Sequence, residues 1–505
     1  MQEVSSLKKS RINKDILYPC ILSGVIVALL FCLCPFSPLY RYVFSADEIC
    51  YKTVSIGLLE GKLPYRDLFD HKGPLSYFLY ALGFLISGKA NWGAFLIVCI
   101  LNAAAFFFVY KTMRLFHDED HAFFSSAFLL FIMGFCVENI FTTGSKPDNM
   151  LLLPLMVSTY LFLKETRHKE GEVFSSISVR SMFLIGLMCG AVFMIKLNVC
   201  LFYFAFIGMY LLFLLIRKKW KAFLTGTSAF LAGIFAVCLP LVAIMGIMKN
   251  LHDFVQIYLV YNFKYANTGD SVFYLTKKMI AAPGKLAITV LILLTVFAVV
   301  KDLKNKKLDK QRILMLILGI AVMAFLTIGP VCIYFYIVFV PFYLYGADSA
   351  VSSILSRVKS TSTRAQVPCI LSALLVIFIV IQIVMIPYIP REKPAEEKAI
   401  EAYAEAHPDA TVMYFNRLCA EGFSDYLPTT PDFRVFYAPL LSNDDFVSEE
   451  VKTIQEQKPS VVIINRYHDD SDAIMKQFME KYGYEEYTAY TEANDGMYVF
   501  VKTAD

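Results

Sequence analysis

Two stretches of this sequence place carboxylates and cations beside apolar segments. The first, residues 44–74, contains these side chains in close succession: Asp47, Glu48, Arg66, Asp67, His71 and Lys72. The second, residues 141–148 (FTTGSKPD), contains Lys146 and Asp148. A carboxylate can act as a general base or hold a hard divalent cation, and a cation can neutralise a phosphate. Together, these residue types suit chemistry at an anionic group.

A sugar carried on a polyprenyl phosphate is a substrate that fits this set. Its phosphate is already a competent leaving group, so cations that neutralise the developing charge matter more than a general acid. Arg66, Lys72 and Lys146 could supply those cations, as could a divalent metal held by Asp or Glu oxygens. The acceptor hydroxyl or amine needs a carboxylate base, and Asp47 is well placed for that role.

The composition indicates that much of the chain faces lipid. Of 505 residues, 57% are hydrophobic and 18% are charged, whereas a soluble domain has roughly a quarter of charged residues. Apolar runs near the ~20 residues that cross a bilayer recur over the first 390 positions. The first of them follows a basic N-terminus without a small-residue cleavage site, which predicts an uncleaved span. The sequence therefore predicts a polytopic α-helical membrane protein.

The basic loops indicate the orientation, because Lys and Arg in short loops stay cytoplasmic. These loops share one side only if an even number of spans separates each pair. About eleven spans satisfy this condition, with an alternative of up to about 13; they are 17–39, 92–113, 121–140, 149–164, 181–196, 198–216, 222–247, 284–301, 312–328, 331–346 and 368–389. Residues 74–88 then form an interfacial helix. The N-terminus lies in the cytoplasm, and loops 40–91, 141–148 and 248–283 lie outside.

The sequence changes character after Pro390. Residues 391–410 form a charged linker and helix, and four short β-like runs follow at 411–416, 433–437, 460–466 and 496–503, with a helical pattern near 472–482. We therefore predict a transmembrane domain over residues 1–390 and a small extracytoplasmic α/β domain over residues 391–505.

The segment ADEICYKTVSIGLLEGKLPYRDLFDHKGPLSYFLYALG resembles the first outer loop of GT-C-class glycosyltransferases. The similarity is to bacterial relatives of the dolichyl-phosphate-mannose protein mannosyltransferases (family 39) and of the lipid A aminoarabinose transferase. The shared pattern is an Asp-Glu pair after the first span, a G-x-x-P-Y-x-D segment, and a basic residue before P-L-x-Y. The resemblance covers roughly residues 15–200 and implies a GT-C fold.

The resemblance also implies roles for individual residues. It implies Asp47 as the catalytic acid or base beside Glu48, Lys72 as a phosphate contact, and Asp148 as the second-loop acid. Tyr65 and Asp67 match the motif and join Arg66, Lys72, Lys146 and Lys196 as predicted substrate-binding residues. The closest relatives have Glu where this chain has His71, so a metal role is open for His71 together with Asp148.

Three other features have competing interpretations. Lys196 could contact a phosphate or anchor a helix end by snorkelling. The run HDEDH at 117–121 has metal-ligand residue types, but the predicted topology makes it cytoplasmic and favours a solvated turn. Most of the twelve cysteines lie in apolar runs, where thiols behave as small hydrophobes. No disulfide framework or zinc knuckle is expected.

We expect a membrane-bound enzyme that moves a sugar from a polyprenyl-phosphate donor to an acceptor at the outer face of the cytoplasmic membrane. The acceptor would be a protein, a lipid or a cell-wall polymer, and membrane lipid is the other partner; no nucleic acid is expected. The alternatives are a transporter or flippase, and a structural or sensory membrane protein. Transporters place ionisable residues at mid-membrane depth, whereas these acids cluster near one interface, which favours the enzyme.

Overall fold

The structure is a computed structural model. It describes residues 13–40, 46–135, 146–166, 177–266, 286–305, 338–357, 395–416, 430–437, 444–466, 470–491 and 496–503, together with 373 and 377. The predicted span 312–328 lies outside these ranges, as do most of 368–389 and the first part of 331–346.

The described residues before position 360 are mostly helical. Its helices are α1 (Lys14–Leu33), α2 (Ala46–Leu59), α3 (Pro74–Ser87), α4 (Trp92–Arg114), α5 (Glu119–Phe135), α6 (Pro147–Met150), α7 (Leu152–Thr166), α8 (Val179–Phe193), α9 (Cys200–Ile216), α10 (Trp220–Ile247), α11 (Leu251–Asp253), α12 (Asn262–Ala266), α13 (Leu286–Lys304) and α14 (Val340–Arg357). A 3₁₀ turn at Leu197–Val199 precedes α9, and a π-helix at Phe254–Tyr261 follows α11. In the described ranges, α1, α4, α10 and the stretch Leu197–Ile216 are long and apolar enough to cross a membrane. The predicted apolar segments that lie within the described ranges are helical.

The two ends of α1 contact different parts of the bundle. At its N-terminal end, Asp15 accepts a 2.8 Å hydrogen bond from Arg114 at the end of α4, and Lys14 pairs with Asp120 in α5 at 2.7 Å. Beyond its C-terminal end, Phe36 packs edge-on against Tyr80 of α3, with ring centroids 5.4 Å apart. A 20-residue helix is about 30 Å long, so these two ends of the bundle lie about 30 Å apart.

Helix α3 is shorter than a typical membrane-spanning helix. Its 14 residues extend about 21 Å, against the ~30 Å of a bilayer's hydrocarbon core. Glycines let it lie directly on α4, because a Cβ added at Gly93 would be 2.0 Å from the carbonyl oxygen of Gly83. Because α7 and α8 have only 15 residues each, the length of α3 does not separate it from the predicted spans, and its interfacial position stays a prediction.

Helices α8 and α10 also meet through small residues. A Cβ added at Gly186 would lie 2.0 Å from the carbonyl oxygen of Phe230, and one added at Gly233 would lie 2.2 Å from that of Phe183. Close backbone approach at glycines is a common way for apolar helices to associate. This contact fixes α8, whose C-terminal end carries the loop that contains Lys196.

The C-terminal part forms a four-stranded sheet with the order β1-β2-β4-β3. The strands are β1 (Val412–Phe415), β2 (Val461–Asn465), β3 (Tyr484–Glu486) and β4 (Met497–Lys502). Strands β1 and β2 are parallel, with Val412 opposite Val461, and the other pairs are antiparallel. Helices α15 (Ala395–Ala406), α16 (Asp444–Lys452), α17 (Asp470–Lys481) and α18 (Thr488–Thr491) accompany the sheet. The described residues thus form the expected small α/β unit.

One predicted strand is not part of the sheet. Residues 433–437 contain bends and form no ladder; a backbone bond joins the amide of Tyr414 to the carbonyl of Phe436 at 2.8 Å. The carbonyl of Arg434 instead accepts the amide of Phe69 at 2.8 Å. This prediction was wrong because the segment's backbone is used to contact the helical part. Strand β3, which the sequence did not predict, is only three residues long.

Candidate active site

The first turn of α2 carries both members of the Asp-Glu pair, where carboxylates interact favourably with the positive end of the helix dipole. Their environments differ. The side chain of Asp47 is 30% exposed, whereas Glu48 is fully buried. Asp47 is therefore the member of the pair that a substrate can reach.

Lys146 brings the second predicted loop to Asp47. Its Nζ donates a 2.6 Å hydrogen bond to Oδ2 of Asp47. Lys146 is the N-cap residue of α6, and Pro147 occupies the first helical position, where its fixed φ suits a helix start. The loop that precedes α6 and the start of α2 thus meet through one charge-assisted bond.

A second pair lies in the same region but is more deeply buried. Lys196 donates a 2.6 Å hydrogen bond to Oδ1 of Asp148, whose side chain is 1% exposed. The other carboxylate oxygen of Asp148, Oδ2, is buried and has no hydrogen-bond partner among the described residues. A buried carboxylate depends strongly on its cation, because an unpaired charge in a low-dielectric interior is costly.

The backbone around Lys72 is held by side chains from three elements. Asn262 donates to the carbonyl of His71 at 2.7 Å, and the hydroxyl of Tyr65 donates to the carbonyl of Lys72 at 2.7 Å. The amide of Lys72 donates to the hydroxyl of Tyr77 at 3.1 Å. Such bonds fix the position from which a side chain reaches a substrate.

Gly73 joins this loop to the end of α8. Its amide donates to the carbonyl of Ile195 at 3.0 Å, and the amide of Leu75 donates to that of Met194 at 2.9 Å. A Cβ at Gly73 would lie 2.2 Å from the carbonyl oxygen of Met194. Only glycine permits this approach, which brings the His71–Lys72 segment next to Lys196.

His71 is buried against two ammonium groups. Its Nε2 lies 2.9 Å from Nζ of Lys72. Burial, and after it the charges of Lys72 and Lys196, hold the pKa of His71 well below its usual value. The imidazole is therefore neutral at neutral pH, and Nε2 accepts a hydrogen bond from the Lys72 ammonium.

All three lysines act on Asp47. Burial alone would raise the pKa of this carboxyl, but Lys146, with smaller contributions from Lys72 and Lys196, holds the pKa below its ordinary value. Asp47 is therefore ionised at neutral pH. We name the set Asp47, Lys72, Lys146, Asp148 and Lys196 the lysine–carboxylate cluster.

Asp70 links this cluster to the C-terminal domain. It is buried, and its Oδ1 accepts the amide of His71 at 2.7 Å and the hydroxyl of Tyr437 at 3.2 Å. Burial raises the pKa of Asp70. Beside it, Phe69 packs edge-on against Phe446, with ring centroids 4.9 Å apart. The sheet domain thus touches the residue directly before His71.

Three predicted substrate-binding residues lie in the turn that leads to the cluster. Tyr65 is fully buried, with a φ of 75°. Arg66 donates two 2.8 Å hydrogen bonds to Asp67, whose Oδ2 also accepts the amide of Leu63 at 2.8 Å. These contacts tie Arg66 and Asp67 to one another and to their own turn, and Tyr65 to the backbone of Lys72.

The predicted metal ligands do not form a three-ligand group in the described part of the chain. Asp148 bonds to Lys196, and His71 lies against Lys72, so ammonium groups occupy the space beside both. Positive charges at this distance disfavour a second cation. These residues therefore do not fit a divalent metal in this arrangement. The group that does form among the described residues consists of His117, His121 and Asp348.

The sequence did not identify three residues that hold the site together. Asp70 was visible in the charged stretch, but its burial and its bond to Tyr437 have no local signal. Asn262 lies in the predicted loop 248–283, where its polar side chain among tyrosines was the available indication. Tyr437 belongs to the other domain.

Residues 71–248 match the family model of dolichyl-phosphate-mannose-protein mannosyltransferases, which confirms the resemblance over that segment. The solved structure of ArnT from Cupriavidus metallidurans in the apo state aligns over 95% of this chain and 97% of its own, with a TM-score of 0.62 and 12% identity. The chain therefore shares the fold of this ArnT structure. A search among curated proteins finds no match.

Two further solved structures share this fold. ArnT from Cupriavidus metallidurans bound to undecaprenyl phosphate aligns over 97% of this chain and 98% of its own, with a TM-score of 0.60 and 12% identity. The Archaeoglobus fulgidus oligosaccharyltransferase in complex with Zn and sulfate aligns over 96% of this chain and 73% of its own, with a TM-score of 0.51 and 12% identity. At this identity the likeness concerns the fold.

Proposed function

We propose that this chain is a glycosyltransferase that moves a sugar from a polyprenyl-phosphate donor to an acceptor hydroxyl or amine. The observation that carries the proposal is the lysine–carboxylate cluster, in which three lysines surround a partly exposed, ionised Asp47. The match of residues 71–248 to the mannosyltransferase family supports it, as does the structure of ArnT with undecaprenyl phosphate, a lipid of the proposed donor class.

In this proposal the lysines bind the donor phosphate. Lys146 and Lys72 both act on the charge of Asp47, the exposed carboxylate of the cluster. A phosphate placed against them would receive charge-assisted hydrogen bonds, and these strengthen as the bond to the sugar breaks and negative charge develops on the leaving oxygen. Lys196 is bound to the buried Asp148 and therefore acts on the phosphate through its charge.

Asp47 is the proposed base. In the free protein its bond to Lys146 and its low pKa make it a weak proton acceptor, and a base works best with a pKa near the working pH. A bound phosphate would neutralise part of the lysine charge and thereby raise the pKa of Asp47. Donor binding would thus activate the base that deprotonates the acceptor. The new bond joins the acceptor oxygen or nitrogen to the sugar carbon, and the polyprenyl phosphate leaves.

We further propose that the cluster faces the outside of the cytoplasmic membrane. The basic loops would then lie in the cytoplasm with the N-terminus, and residues 391–505 would lie outside. The C-terminal domain contacts the loop that carries Lys72, so it is on the same side as the cluster. Cysteine labelling at positions 47 and 420 tests this orientation, and label entering from the cytoplasm at either of them would reject it.

The catalytic proposal is tested with Asp47→Asn. We expect this substitution to lower sugar transfer by roughly 10²- to 10⁴-fold, because it removes the base, while expression and membrane insertion stay normal. A matched control is Asp409→Asn, which changes an exposed carboxylate in the C-terminal domain. The readout is mass spectrometry of cell-envelope glycans from a strain that lacks the gene and carries each variant.

Two outcomes separate the parts of this proposal. Near-normal transfer by Asp47→Asn would reject the base but not the reaction. The donor class is rejected as well if two results are obtained together. The first is that the strain without the gene has unchanged glycans. The second is that the purified wild-type chain binds undecaprenyl phosphate no better than the Lys72→Met, Lys146→Met double variant.

A further inference from the structure

The run HDEDH at 117–121 differs from the expected solvated turn. Its two histidines are mostly buried, with side-chain exposures of 21% and 18%. They face Asp348, which is more than 220 positions away on α14 and is itself largely buried. Three metal-ligand side chains from two distant parts of the chain therefore meet at one point.

The ring nitrogens converge on one carboxylate oxygen. Nε2 of His117 lies 2.8 Å from Oδ1 of Asp348, and Nε2 of His121 lies 3.2 Å from the same atom. The two rings stack with centroids 3.8 Å apart and planes 15° apart. The ligand atoms of all three residues lie within 4.8 Å of one another.

Hydrogen bonding alone leaves part of this arrangement unexplained. Although Nε2 of His117 is 2.8 Å from the carboxylate, it is buried and makes no hydrogen bond of normal geometry among the described residues. In a tetrahedral site with bonds of ~2.1 Å, the ligand atoms lie about 3.4 Å apart. The measured Nε2–Oδ1 distances are 2.8 and 3.2 Å, so a bound ion would require only small side-chain movements.

We propose that His117, His121 and Asp348 bind a divalent transition-metal ion of the Zn²⁺ class, with water as the fourth ligand. Two imidazole nitrogens and one carboxylate oxygen form a ligand set that Zn²⁺ accepts. Ser125 donates a 3.0 Å hydrogen bond to Oδ1 of Asp348, an outer contact of the kind that orients a metal-binding carboxylate. The side chain of Ser352 lies 3.2 Å from Nε2 of His121 and also borders the site.

The position of this site predicts a structural role. His117 and His121 flank the start of α5, whose Asp120 pairs with Lys14 at the N-terminal end of α1. Helix α1 is about 30 Å long, and beyond its opposite end Phe36 packs against Tyr80 of α3, the helix that follows Lys72. A metal here would tie the α4–α5 turn to α14 without contacting the proposed reaction, and the inference does not depend on the proposed function.

The test measures metal binding by the full-length protein in detergent, purified with a tag that contains no histidine. After exposure to Zn²⁺ and removal of excess ion, we expect about one zinc per chain by mass spectrometry. Co²⁺ in its place should give the visible absorption of a tetrahedral site. His121→Ala and Asp348→Asn should lower the zinc content at least about tenfold, whereas His252→Ala, an exposed control histidine, should not.

The wild-type protein decides the question even if the variants fold poorly. Stripping with a chelator should lower its melting temperature, and Zn²⁺ should restore it. Wild-type protein that retains less than about a tenth of a zinc per chain would overturn the proposal and leave an ion pair only. Zinc retained equally by His121→Ala would overturn it too.

Discussion

Replacing Lys196 with Met should strongly destabilise the fold, because it would strand a buried carboxylate. Lys196 provides a hydrogen bond of 2.6 Å to Oδ1 of Asp148, and Oδ2 of Asp148 has no partner among the described residues. Removing one member of a buried ion pair typically costs about 3–5 kcal/mol of unfolding free energy. With Asp148 at 1% exposure, water cannot reach the carboxylate without local rearrangement, so we expect a loss in this range.

Two other lysine–carboxylate pairs serve as matched controls because their exposure differs. Lys146 pairs with Asp47 at 2.6 Å, but Asp47 is partly open to solvent, so Lys146→Met should reduce stability less than Lys196→Met. Lys89 pairs with Glu60 at 3.3 Å and is half exposed. Exposed pairs contribute about 0–1 kcal/mol, so Lys89→Met should have almost no effect.

The assay is reversible unfolding of the full-length protein in mixed micelles, with each lysine replaced by Met. A second substitution tests the cause: Asp148→Asn added to Lys196→Met should recover part of the loss, since the stranded charge is gone. Equal losses for all three lysines would refute the reasoning from burial. A loss below about 1 kcal/mol for Lys196→Met would refute it as well.

Three other outcomes follow from the described contacts. Gly73→Ala should weaken undecaprenyl-phosphate binding in a lipid-pulldown assay, because its Cβ would lie 2.2 Å from the carbonyl oxygen of Met194 and displace the Lys72 loop. The lowered pKa of Asp47 stabilises the folded state above about pH 4, and this stabilisation is lost as the pH falls further. Because Lys146 lowers that pKa, Lys146→Met should move the acid limb of the pH profile of sugar transfer to higher pH. Burial raises the pKa of Glu450 to about 8. The folded state therefore loses stability as the pH rises toward that value, because the buried carboxyl must then give up its proton. Glu450→Gln should raise the melting temperature of the full chain at about pH 9.

The sequence could place the cluster residues on one side of the membrane, because the distribution of basic loops constrains the orientation of every span. The parity of the basic loops put Asp47, Lys146, Asp148 and Lys196 at the same side of the predicted bundle, and the structure brings them together. The sequence alone could not predict which lysine pairs with which carboxylate. The difference in burial between Asp47 and Asp148 depends on packing between helices, for which a single sequence carries no local pattern.

Long-range partners were the second limit. Asp348 lies more than 220 residues from His117 and His121, and without it the run HDEDH is indistinguishable from a charged turn. The failure of the predicted strand 433–437 has a similar origin. Its alternating apolar pattern is typical of a strand, but its backbone carbonyl at Arg434 bonds to the helical part instead.

Hydrogen bonds connect the C-terminal domain to the loop of the candidate active site. Lys62 donates to the carbonyl of Thr430 at 2.7 Å, and Tyr437 donates to Asp70, whose same oxygen accepts the amide of His71. Because Oδ1 of Asp70 accepts both the Tyr437 hydroxyl and the His71 amide, a shift of residues 430–437 would disturb the segment that contains Lys72. A domain placed there for acceptor binding would therefore affect phosphate binding through position alone, without contributing a side chain to the lysine–carboxylate cluster.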